Sequence, residues 1–310
     1  MGYALLALAY LAVQPLLAAE PKLAGVFVGS TPGDELVAKL VQLPGGTEPP
    51  LQWELHLFRD AATQAPLNYH LRCRFAATPG QFEQRGAWKM TKGTKSDAGA
   101  NVYELDGALA LTVVSENLLH LLSPDRSLMI GNGGWSYTLN RTNAAEPPQP
   151  APPANAPSVS YRIDPVATGP GVFGVFEGRT PCLGIARELH VPLDEHRMKA
   201  KWRVTLLQDP DTKAPTTYKL EGSLFRQSKR EGTWSILRGT AKNPAATVYR
   251  LAPANGQEAL LLLQGDDNIL FFLDQTQNLL IGHSEFSYTL NRRLPGTQAA
   301  ASPTTSARSR

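Results

Sequence analysis

The sequence predicts an all-β protein: two tandem small antiparallel β-barrels joined by a Pro-rich linker. Three observations carry this expectation. The hexapeptide Ser136-Tyr137-Thr138-Leu139-Asn140-Arg141 returns 151 residues later as Ser287-Tyr288-Thr289-Leu290-Asn291-Arg292. Around each copy, short apolar runs alternate with polar residues and are separated by turn chemistry, the pattern of half-buried strands. Between the copies, residues 146–157 are so rich in proline that they cannot pack on themselves and read as an extended spacer.

The repeat extends through nearly the whole of each copy. At an offset of 151, Asn117-Leu118-Leu119 faces Asn268-Ile269-Leu270, and Leu128-Met129-Ile130-Gly131 faces Leu279-Leu280-Ile281-Gly282. At 146, Gly86-Ala87-Trp88 matches Gly232-Thr233-Trp234, and Val102-Tyr103-Glu104-Leu105 matches Val248-Tyr249-Arg250-Leu251. At 149, Gly25-Val26-Phe27 matches Gly174-Val175-Phe176, and Trp53 matches Trp202. The offset shifts only between these blocks, as loops of unequal length require, so a complete fold is duplicated. At roughly 120 residues, each copy is long enough to bury a core of its own.

Taken in order, residues 1–19 carry no charge, are dominated by Leu and Ala, and read as a secretory signal peptide with a break at Pro15 and cleavage near Ala18-Ala19. The first barrel is expected over 20–145. In it Trp53, Leu55 and Leu57 alternate with Glu54, His56 and Phe58. Residues 60–66 form a hairpin loop, and Tyr69, Leu71, Cys73 and Phe75 continue on alternate positions. Later strands centre on Trp88, 102–105, 109–113, 118–122, 128–130 and 135–139, a meander able to close on itself. Residues 34–40, matched by 183–189, do not alternate and allow one or two helical turns capping a barrel end. The linker spans 146–165 and the second barrel 166–294. There Trp202, Val204 and Leu206 precede the turn at 209–212, and the next strand ends at Phe225. The tail, 295–310, is expected to be disordered.

Composition narrows the function classes. A net charge of +3, spread along the chain, gives neither a nucleic-acid groove nor a membrane-binding face. Gly-x-Ser-x-Gly, a phosphate-cradling glycine loop and the metalloprotease helix motif are all missing, so no catalytic residue is assigned. Asp266-Asp267 has the look of a carboxylate pair, but the first copy has Ser115-Glu116 there, and a turn before a strand explains both. Trp53, Trp88, Trp202 and Trp234 are candidates to line a barrel cavity for one small apolar ligand, but they read first as core. Cys182 with His190 and His196 is the candidate metal site. Cys73 and Cys182 occupy different places in their copies, Gly222 standing where Cys73 would repeat, and in an oxidising compartment they could bridge the modules.

The run Gly174-Val175-Phe176-Glu177-Gly178-Arg179-Thr180-Pro181-Cys182-Leu183-Gly184-Ile185, with the Gly232-Thr233-Trp234 strand, Leu270-Phe271-Phe272-Leu273-Asp274 and the closing Tyr288-Thr289-Leu290, resembles the N-terminal domain of NlpE-type copper-resistance lipoproteins. The resemblance spans 25–141 and 174–293. It implies small lipocalin-like barrels of the bacterial envelope and a link to copper tolerance and envelope-stress sensing. Members commonly carry Cys-x-x-Cys in the Pro-Cys segment. Here Cys182 is followed three positions on by Ile185, and the first copy has Gly33 and Leu36. The family's lipid-anchor cysteine is also missing. The expectation is therefore an exported, non-catalytic protein of the periplasm or cell envelope, without a transmembrane segment after signal cleavage, that binds an envelope protein partner. The alternatives are a copper protein using Cys182 and a carrier of a small apolar ligand.

Overall fold

The computed structural model describes residues 20–40, 50–75, 81–143, 166–192, 199–225 and 230–294. The signal peptide, the proline spacer and the tail expected from the sequence lie outside these residues.

Two closed eight-stranded antiparallel barrels make up the described residues, each with its strands in sequence order around the wall. The first comprises β1 (Pro21–Thr31), β2 (Leu51–Asp60), β3 (Pro66–Phe75), β4 (Phe82–Lys92), β5 (Asn101–Leu105), β6 (Leu109–Ser115), β7 (Leu118–Leu122) and β8 (Thr138–Arg141). The second repeats it with β9 (Val172–Thr180), β10 (Ala200–Gln208), β11 (Pro215–Gly222), β12 (Arg230–Arg238), β13 (Thr247–Pro253), β14 (Leu260–Gln264), β15 (Ile269–Leu273) and β16 (Thr289–Arg292). Helices α1 (Glu35–Leu40) and α2 (Leu183–Glu188) follow the first strand of each barrel. Among the described residues no helix is long and apolar enough to cross a membrane.

Alternation sets which side chains point inward. Along β2, Leu51, Trp53, Leu55 and Leu57 are buried while Gln52, Glu54 and His56 are only partly so. An eight-stranded barrel is just wide enough for such side chains to fill it, and a buried cluster occupies each interior. Closure rests on two glycines. A Cβ on Gly29 would stand 2.6 Å from the Thr138 carbonyl oxygen, and one on Gly178 would stand 2.5 Å from that of Thr289. The helices cap one end. Tyr137 hydroxyl donates to Asp34 Oδ2 beneath α1, and Tyr288 hydroxyl accepts from Gly184 N of α2 at 3.0 Å.

The two barrels are docked along one face rather than held apart on their spacer. Ser136 Oγ lies 2.6 Å from Ser287 Oγ, and Thr138 Oγ1 lies 3.1 Å from Thr289 Oγ1. Each pair joins equivalent residues of the two copies, so the seam has the self-complementary geometry of a two-fold dimer interface. Reciprocal bonds flank it: Asn140 Oδ1 accepts from Gly282 N at 2.9 Å, and Asn291 Oδ1 accepts from Gly131 N at 2.7 Å. Leu118, Leu122 and Leu128 of the first barrel join Ile269 and Phe271 of the second in a buried cluster shared by both.

Three expectations need correcting. Residues 128–130 form no strand; Leu128 makes a single bridge to Leu122. The segment lies across the seam, where both its faces are covered, and its glycine is held close: a Cβ on Gly131 would stand 2.1 Å from the Trp135 carbonyl oxygen. The last strand of the first barrel begins at Thr138, not 135, because Asn132 Oδ1 accepts from the backbone N–H of Gly134 and Trp135 at 3.0 Å each and bends the chain there. The strand after the 209–212 turn stops at Gly222, and a short 3-10 turn, Ser223–Phe225, replaces its expected end.

Candidate functional site

Each barrel carries one tryptophan near its helix-capped end and one near the opposite end. All four are core residues, and all four indole N–H groups are bonded within the chain. Trp53 Nε1 donates to Thr31 Oγ1 at 2.9 Å and Trp202 Nε1 to Thr180 Oγ1 at 2.8 Å. Trp88 Nε1 donates to Phe58 O at 2.7 Å and Trp234 Nε1 to Leu207 O at 2.6 Å. The two threonines, which pass their own protons to the Pro32 and Pro181 carbonyls, were not singled out from the sequence. Their signal is present there, as Gly29-Ser30-Thr31 and Gly178-Arg179-Thr180 at the common offset of 149.

The barrels differ most at the end opposite the helices. In the second, the Phe173 ring stops the opening, its centroid 5.0 Å from Trp234 and 5.7 Å from Tyr249, with the Arg292 guanidinium 5.3 Å above it. The equivalent position in the first barrel is Ala24. Without the ring, Tyr103 is only half-buried where Tyr249 is 3% exposed. Trp88 and Tyr103, with centroids 4.8 Å apart, form an aromatic floor. Met90, 44% exposed and paired with Tyr103 across β4 and β5, stands at its rim, and the Arg59 guanidinium lies 5.1 Å over Trp88. This end combines apolar surface, two aromatic rings and one cation, the mixture that suits an anchor site for a partner.

Beside the same end of the second barrel is a cleft of about 300 Å³, lined by residues that include Val166, Phe173, Val175, Arg292 and Leu294. Its volume is at the lower limit of small-molecule pockets.

The candidate metal residues are not brought together. Cys182 precedes α2 and is fully buried in the second core, while His190, after the helix, is exposed. His196 lies outside the described residues. Among the described residues no three His, Cys, Asp or Glu side chains are grouped to hold a metal ion. Cys73 and Cys182 sit in different barrel cores, so the bridge between modules that the sequence allowed is not formed. Burial alone pushes the Cys73 thiol far above its usual range. His56 and His70, on neighbouring strands of the outer wall, have ring centroids 6.0 Å apart, and each is bonded to a carboxylate, Glu54 at 2.6 Å and Glu83 at 3.1 Å. Arg72 reaches both carboxylates at 3.3 Å, which makes the group a charge network on the wall. Asp266 is a turn residue: its Oδ1 accepts from the N–H groups of Asn268 at 2.8 Å and Ile269 at 2.9 Å. In the first copy Ser115 Oγ accepts from Asn117 N at 3.2 Å in the same place.

Comparison of the chain with protein-family models, with curated proteins and with solved structures returned no match.

Proposed function

We propose that this protein is an exported, non-catalytic interaction module of the cell envelope, in which two docked barrels present their outer surfaces to another envelope component. One observation carries the reading: each barrel interior is filled by its own side chains, including the four tryptophans, so recognition is left to the exterior. The end of the first barrel around half-buried Tyr103 and exposed Met90 is the surface best suited to it. The resemblance to NlpE-type domains, expected from the sequence, supports the same setting.

A second reading, carriage of a small apolar ligand, is favoured by the cleft of about 300 Å³ beside Phe173. Copper handling through Cys182 is the third. Native mass spectrometry of the purified protein, a Cu(I) titration against a competing chelator and site-specific photocrosslinking from position 90 in cells separate the three. The interaction reading expects an unliganded mass, no competitive copper binding, and a discrete crosslinked species. A retained lipid would replace it with carriage, and one tightly bound Cu(I) lost in Cys182→Ser would replace it with metal handling.

A further inference from the structure

The seam between the barrels contains a polar chain with only one consistent direction. His120, on β7 and fully buried, places Nε2 2.9 Å from the Met129 carbonyl oxygen. A carbonyl only accepts, so Nε2 carries the imidazole proton and Nδ1 is an acceptor. Thr138 Oγ1, 2.9 Å from Nδ1, therefore donates to it. Thr138 then receives the Thr289 proton across the seam at 3.1 Å, Thr289 receives that of Ser287 at 3.1 Å, and Ser287 that of Ser136 at 2.6 Å. The chain of hydroxyls crosses between barrels twice and ends on a neutral histidine.

The groups packed on His120 offer a positive charge nothing to pair with. They are Thr112 opposite it on β6, Thr138 on β8, the Met129 carbonyl, and from the second barrel the Phe271 ring, edge-on at 5.8 Å. No charged group is among those acting on its titration. The charged residues described at the seam lie elsewhere on it: Arg179 is over Trp135, and Glu177, ion-paired to Arg203 at 2.7 Å, faces Gly133. Protonation would turn Nδ1 into a donor, take from the Thr138 hydroxyl the acceptor for its own proton, and leave an imidazolium without a counter-ion in a dry interface, where an unpaired charge is costly.

We propose that His120 is an acid-sensitive latch, holding the two barrels together while neutral and releasing them when protonated. The sign follows from the shift. Burial holds the imidazole at about 4 against an ordinary 6.5, so the docked state binds fewer protons than the released one between those values. Docking is thus complete above about pH 6.5 and weakens as pH falls toward about 4.

The test uses the full chain from pH 8 to pH 4, with small-angle scattering to follow separation, Trp135 fluorescence to follow the seam, and far-ultraviolet dichroism to follow the barrels. The expected result is expansion and a fluorescence change while the strand signal is retained. His120→Phe, which installs the residue the second copy has at position 271, should remove the transition. His120→Gln, which keeps an amide N–H for Met129 at every pH, should remove it too and covers the case in which phenylalanine overpacks the seam. His283 is the competing titrant: it is also buried, its Nδ1 accepts from Glu285 N at 3.1 Å, and burial lowers its pKa. His283→Asn should leave the transition in place. An acid transition that survives both His120 variants, that disappears in His283→Asn, or that coincides with loss of the strand signal overturns the proposal.

Discussion

At the scale of single residues, the repeated glycines separate two kinds of constraint. Gly29 and Gly178 face backbone: a Cβ would meet the Thr138 and Thr289 carbonyl oxygens at 2.6 and 2.5 Å. Gly25 and Gly174 face side chains, the guanidinium tips of Arg141 and Arg292 at 2.8 and 2.4 Å. A backbone oxygen cannot swing aside, so Gly29→Ala and Gly178→Ala should each lower stability by about 2 kcal/mol or more. Gly25→Ala should lower it less, since the Arg141 tip can move at the expense of its 3.0 Å bond to Ala24 O. Urea denaturation of the variants decides; equal losses at positions 25 and 29 would show that the arginine is as fixed as the backbone. The sequence displayed these glycines as repeats but not their reasons. A contact between β1 and a hexapeptide more than a hundred residues away is invisible to local spacing.

At the scale of elements, strands with one wet face were the legible ones. Alternation in β2, β3 and their copies marks the buried residues directly, because solvent on the other face forces polar side chains there. Segments covered on both faces lost that signal. β7 and β15 are buried at every position, and 128–130 is apolar throughout yet serves as seam rather than wall. The helix caps were legible as interruptions of alternation, and their role of closing one end follows from their attachment to β1 and β9. The tight turns permit a matched comparison. Arg126 and Gln277 occupy equivalent positions with φ of 66° and 64°, a region that suits glycine. Gln277→Gly should raise stability by up to about 1 kcal/mol by relieving this strain. Arg126→Gly should gain nothing net, because Arg126 is ion-paired with the largely buried Glu104. Thermal denaturation of both variants checks the difference in sign. Buried positions on β3 and at the start of α2 also predict that neither cysteine thiol reacts with a polar disulfide reagent until the barrels unfold, and a fast-reacting thiol in the native protein would contradict the packing around it.

At the scale of the whole molecule, the hexapeptide that most clearly announced the duplication proves to be the docking surface. Its repetition is explained by the seam: Ser136 and Thr138 meet Ser287 and Thr289, while Asn140 accepts from Gly282 and Asn291 from Gly131, because both sides of a two-fold contact need the same groups. Sequence alone could show that the motif recurs but not that its copies touch. The shared cluster predicts that Phe271→Ala, which empties a position 1% exposed and lying between the barrels, lowers the stability of the full chain by about 3–5 kcal/mol. The same substitution in the isolated second barrel, residues 166–294, should lower stability much less, since the ring has lost its partner surface there. That isolated barrel should also self-associate through its own copy of the seam, which sedimentation equilibrium would detect. A strictly monomeric barrel, with the Phe271→Ala loss unchanged, would mean that the seam adds little to either half.

The two sides of that seam are alike but not identical, and the difference has a consequence for ancestry. Position 120 is histidine and its counterpart, 271, is phenylalanine. Were the barrels separate copies of one polypeptide, the residue at this position would meet its own twin beside the axis, and every substitution would strike both sides at once. Joining the copies in a single chain breaks that rule. A fused descendant can set an ionisable ring on one side against an inert one on the other, and so keep one titrating group where a symmetric pair must have two or none.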